Sequence, residues 1–194
     1  GRNEAFGTPA FAARMDWFFA HEAAHLYQGY PALVDAGDSW IHEGGADALA
    51  AVALQALGVV DRDRVRVRLQ ASLEACAKGI ARHPLTRAHV EGSFDTFYAC
   101  GFVMQMAVDA AALRASDGAC GLACVWRDFQ KDVAAGAAWS TDTFIAVSAK
   151  RTDPITARFL RAVAHDVPAQ PGVMLREGLA QAGLAQAPSP GGLE

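Results

Sequence analysis

The chain has little that would suit it to nucleic acid or lipid. Lysine and arginine total 17 against 21 acidic residues, for a formal net charge of −4, so there is no basic footprint for a polyanion. No run of 18 or more apolar residues reads as a membrane span, and no signal-peptide pattern opens the sequence. The opening "GRNEAFG" has no Met and reads as the start of a segment taken from a longer protein. A glycine-rich phosphate loop is missing, as is a Ser-His-Asp or Cys-His arrangement in a supporting context. Cysteine is scarce, with Cys76, Cys100, Cys120 and Cys124 alone. "CGLAC" does not have the C-x-x-C spacing of a zinc knuckle or redox site, and no second pair stands at zinc spacing. An even count permits bridges, but we read these first as buried or free thiols. The compartment therefore stays open between periplasmic or secreted and cytoplasmic.

Strand signals are also few, and only "GVMLREG" near the end has that character. The rest reads as helix. "TPAFAARMDWFFAHEAAHLYQG" offers Thr8 as N-cap, Pro9 at the first helical position and Gly29 as the stop. A turn-rich "YPALVDAGDS" follows, then a helix from Ser39 or Trp40 to Leu57. "DRDRVRVRLQASLEACAKG" is a third; its alternating Arg62, Arg64, Arg66 and Arg68 read as exposed charge. "ARHPLTRAHVEGS" is irregular, and a long apolar helix then spans about 94 to 115. Further helices are expected at "GLACVWRDFQKDVAAGA", at "TDTFIAVSAKR" behind a Ser140 or Thr141 cap, and at "PITARFLRAVAHD" behind Asp153. With 52% hydrophobic and 20% charged residues, this is the composition of one globular, mostly α domain. We place that domain at 1–168, leaving a C-terminal segment with a Pro/Gly tail at 169–194.

"HEAAH" is the stretch that carries chemistry. Residues four apart share a helix face, so His21 and His25 project side by side and can share one cation. Glu22, about 100° round, can reach a water on that cation without binding it, which is the zinc-hydrolase arrangement of H-E-x-x-H. A catalytic zinc takes three protein ligands and keeps a fourth position open. The longer H-E-x-x-H-x-x-G-x-x-H pattern fails because Gly29 comes one place late and position 31 is Pro. The third ligand should then come from the next helix, "WIHEGGADALA". Glu43, with 17 residues between it and His25, leaves room for a helix end, a loop and a return. His42 competes for the role, about 100° off the face that Glu43 shares with Asp47. Asp47 can accept the free N–H of a ligand imidazole.

"HEAAH" and "WIHEGGADA" together resemble the gluzincin metallopeptidases, above all the alanyl, leukotriene-hydrolase and glycyl aminopeptidase types. In those enzymes a Trp stands three residues before the third ligand and Glu-Gly follows, as in Trp40, Glu43 and Gly44. The resemblance implies a thermolysin-like helical catalytic domain. It implies Zn2+ on His21, His25 and Glu43, with Glu22 as general base acting on a peptide substrate. The His25-to-Glu43 spacing is one residue shorter than in the alanyl type, and Asp47 resembles a residue of the thermolysin branch. "FYACGFVMQMAVDAA" (97–111) resembles the segment carrying their oxyanion-stabilising tyrosine, which implies that role for Tyr98. Where those enzymes have Lys before the glycine, this chain has Cys100. "TDTFIAVSAKRTDPITARFLRAVAHDVP" resembles the helical segment that follows.

The upstream β-sheet that holds peptide in those families by main-chain pairing, and their amine-capturing glutamates, have no clear counterpart here. Glu4 is a weak candidate for the latter. We favour a segment of a longer peptidase over a minimal catalytic domain or an inactive relative. The rival function is a non-catalytic, zinc-stabilised helical module acting through protein contacts. His83, His89 and His165 are read as surface histidines, and Trp17, Phe18 and Phe19 as core packing. The oligomeric state is left open.

Overall fold

The computed structural model describes residues 8–29 and 35–184. Among these, all regular structure is helical. The helices are α1 (Pro9–Gln28), α2 (Gly45–Ala56), α3 (Arg62–Ile80), α4 (Phe94–Ala115), α5 (Leu122–Ala134), α6 (Thr141–Arg151), α7 (Pro154–His165) and α8 (Pro171–Ala182). Caps begin several of them as the sequence predicts. The Thr8, Ser140 and Asp153 side chains accept the N–H of Phe11, Thr143 and Thr156, which satisfies donors that a helix start leaves open.

The axis of the fold is α4. It is apolar on nearly every face, and such a helix must be buried. Residues from Phe102 to Met104 are fully enclosed, and α2, α3, α5, α6, α7 and α8 all pack on it. By length and composition alone it could cross a membrane, yet most of it lies inside the protein. An aromatic cluster of Trp40, Trp126, Phe129 and Phe144 fills the space between α4, α5 and α6.

The segment entering α2 is not an ordinary helix start. Trp40–Gly44 forms a π-turn, a form concentrated at functional sites. Two carbonyls in this turn are taken by buried side chains. Gln105 Nε2 donates to Ile41 O at 2.9 Å and Gln28 Nε2 to His42 O at 2.9 Å. Gln105 in turn accepts from Trp126 Nε1 at 2.8 Å. The turn lies against α4 backbone to backbone, because Gly44 faces Gly101 and a Cβ on either would strike the other's main chain.

Several expectations need correction. "GVMLREG" lies within α8, whose Leu175 and Leu179 are fully buried; Leu175, Gly178, Leu179 and Ala182 repeat at helical spacing, and that period outweighs the local strand character. The cysteines are not free: Cys76 is bonded to Cys100 and Cys120 to Cys124. The first bridge joins α3 to α4 where their Cα atoms lie 4.7 Å apart, and the second closes a four-residue step at the start of α5. Trp17 packs on the core, but Phe18 and Phe19 are 50% and 64% exposed. The inward stripe of α1 is Trp17, Ala20, His21, Ala24, His25 and Gln28, so positions 18 and 19 point out. His83 is buried rather than on the surface, its ring nitrogens 3.1 Å from Pro84 O and 3.0 Å from Ser93 Oγ.

Candidate metal centre

The inward stripe of α1 carries both "HEAAH" histidines toward the π-turn, and the turn returns Glu43 to meet them. His21 Nε2 and His25 Nε2 are 3.0 Å apart. Glu43 Oε2 lies 3.5 Å from the first and 3.6 Å from the second. Among the described residues these three side chains form the one group that could hold a metal ion. The spacing suits zinc. Tetrahedral ligands at the usual Zn–N and Zn–O lengths stand about 3.3 Å from one another. The point equidistant from these three atoms lies about 2.0 Å from each, inside the zinc-ligand range of roughly 2.0–2.2 Å.

The outer partners of the imidazoles sharpen the fit. His21 Nδ1 is 3.0 Å from Asp47 Oδ1 and His25 Nδ1 is 2.9 Å from Gln28 Oε1. Both partners are acceptors, so each Nδ1 carries the hydrogen and each Nε2 presents a lone pair. Two imidazole lone pairs and a carboxylate then converge on one small space, an arrangement that needs a cation. Without a metal, that cation is a proton. Burial opposes protonation of His21, but Asp47 and Glu43 outweigh it and raise its pKa to about 9. Glu43 raises His25 as well. His21, then His25 and His42, hold the Glu43 carboxyl far below the usual range.

His42 does not join the cluster. Its ring stacks on His25 with centroids 4.2 Å apart, and its Nδ1 approaches Glu43 Oε1, the other carboxylate oxygen, at 3.6 Å. Asp47 lies one turn along from Glu43 and serves more than His21. It accepts Trp17 Nε1 at 3.0 Å and Arg68 Nη2 at 2.7 Å. The Arg68 guanidinium also lies over the Trp17 ring, 4.0 Å from its centroid. Arg68 is thus part of this network, a correction to its reading as free surface charge; Arg62, Arg64 and Arg66 are exposed.

Glu22 is exposed on α1. Tyr98, at the start of α4, stacks on His21 with centroids 6.2 Å apart, close enough to the Glu43 carboxylate to feel its charge. Burial pushes the Tyr98 phenol upward; Glu43, Asp47 and Glu22 add to this, so the hydroxyl stays protonated as a donor. An open cleft of about 270 Å³ adjoins the group, lined by Ser39, His42, Glu43, His89 and Phe97. His89 stacks on Phe97, which stacks on Tyr98. His165, 42% exposed, does not belong to this group and pairs with Asp142. Glu4, and most of the turn-rich "YPALVDAGDS", lie outside the described residues.

Sequence reasoning missed Gln28, Trp17 and Arg68. The first two carried a signal, since they stand three residues after His25 and four before His21, on the face that the two histidines share. Arg68 arrives from α3, and nothing local announces it. Comparison of the chain with protein-family models, characterised proteins and solved structures finds no match.

Proposed function

We propose that this domain is a zinc-dependent peptide hydrolase of the gluzincin type, closest in character to the aminopeptidases. One observation carries the reading: three lone-pair-bearing atoms from two elements converge at zinc-ligand spacing, with the Tyr98 phenol stacked on His21 beside them. His21, His25 and Glu43 would hold the ion. When bound, zinc would supply a Lewis acid and would bring the pKa of a water down to about 7. Glu22 takes the proton of the attacking water and returns it to the leaving amine. Tyr98 donates its hydroxyl to the oxygen on which negative charge develops, an interaction that strengthens only in the transition state. The partly aromatic cleft lined by Ser39, His42, Glu43, His89 and Phe97 takes the side chain next to the scissile bond.

The rival is a zinc-stabilised module without catalysis. A structural zinc normally fills four protein positions, whereas only three groups converge here among the described residues. That difference favours an open position and a reaction. The test is Glu22→Gln, assayed with zinc analysis and a panel of unblocked and N-acetylated peptides. Zinc retained with hydrolysis abolished supports the assignment. A Glu22→Gln variant that cleaves as fast as the parent refutes the mechanism. A zinc-loaded parent that cleaves nothing, alone or joined to upstream sequence, leaves the module.

A further inference from the structure

Gln28 stands apart from the other polar side chains at the centre. It is 2% exposed, in the last turn of α1, and both ends of its amide are used. The Oε1 faces His25 Nδ1 at 2.9 Å, while the Nε2 donates to His42 O at 2.9 Å. The second bond fixes which way the first one points. With the NH₂ committed to a carbonyl, only the oxygen is left for the imidazole, so Nδ1 must be the protonated nitrogen. His42 O belongs to the peptide group that leads directly into Glu43. The amide therefore spans from one proposed ligand to the backbone of another.

We infer that Gln28 is a positioning residue for metal binding, setting the tautomer and ring orientation of His25 through its acceptor oxygen. This rests on the zinc reading above. His21 receives the same service from Asp47, a carboxylate tied to Arg68 and Trp17. The two imidazoles are thus supported unequally, one by an anion and one by a neutral amide. Removing such an outer partner typically costs about 10–100-fold in metal affinity.

Zinc affinity is measured by competition with a chromophoric chelator, and Co2+ substitution reports ligand geometry through its visible absorption. Gln28→Leu keeps the bulk, removes the acceptor and should weaken zinc binding at least tenfold with an altered cobalt spectrum. Gln28→Glu restores an acceptor to His25 Nδ1 and should bind zinc within threefold of the parent, or more tightly. A merely structural role predicts no such rescue, since a carboxylate cannot donate to His42 O. Gln28→Leu binding within twofold of the parent overturns the inference. So does Gln28→Glu binding zinc more than threefold more weakly than the parent, a comparison that also serves if the leucine variant does not fold. His25→Ala separates the two readings: if it binds zinc as the parent does, the metal centre itself is misassigned.

Discussion

Gly101→Ala tests whether the backbone contact between α4 and the π-turn sets the geometry of the centre. A Cβ at position 101 would lie 2.9 Å from Gly44 Cα and 3.1 Å from the Trp40 carbonyl carbon, with the Trp40 oxygen closer still. Carbon atoms rest comfortably at about 3.5–4.0 Å, so α4 and the π-turn must separate by about 0.6 Å or more. Overpacking of this kind costs about 1–3 kcal/mol. Tyr98 lies one helical turn before Gly101 and travels with α4. Glu43 stays with the π-turn, and both histidines stay with α1. The variant should therefore unfold at lower urea with an unchanged slope, keep zinc within a few fold, and lose hydrolysis steeply. Misplacement on the order of 1 Å can cost about a hundredfold in rate. Unchanged stability would refute the packing argument. A complete loss of zinc at retained stability would show that α4, rather than α1 and the π-turn, fixes the ligands.

Three other outcomes follow from the structure. In metal-free protein the raised His21 pKa stabilises the fold fully below pH 6.5, and this is lost as pH climbs through about 9; the effect is of order 3 kcal/mol. Zinc must displace that proton, so calorimetry at pH 7 in buffers of different ionisation enthalpy should show about one proton released per ion, and no release would contradict the protonated pair. The Cys76–Cys100 bridge, 24 residues apart in sequence, should contribute roughly 3–4 kcal/mol by loop-closure entropy. A Cys76→Ala/Cys100→Ala protein that melts with the parent would exclude that contribution.

Much of the fold was legible because helix periodicity and caps are local. Thr8, Asp153 and Gly29 mark ends that depend on their own neighbours alone. The pairing of His21 with His25 was legible for the same reason, since four residues on one helix fix it. Glu43 was reachable through spacing and resemblance, although the π-turn that presents it was not, because that turn depends on Gln105 and Gln28 capturing its carbonyls. Exposure was least legible where apolar residues crowd together. "WFF" at 17–19 is uniformly apolar, yet only Trp17 faces the core, since it shares the inward face of α1 with His21, His25 and Gln28. Arg68 hides in an alternating charge run and is distinguished only by what α3 brings it against. The cysteines misled because C-x₃-C has no metal or redox signature, while the meeting of Cys76 and Cys100 depends on where two helices cross.

The account's central claim is met most directly by metal analysis of the purified chain dialysed against limiting zinc. The parent should hold one zinc per chain; His25→Ala and Glu43→Ala should hold none, with His42→Ala and His83→Ala unaffected. Equal zinc in the parent and in Glu43→Ala, or none in a folded parent, would contradict it.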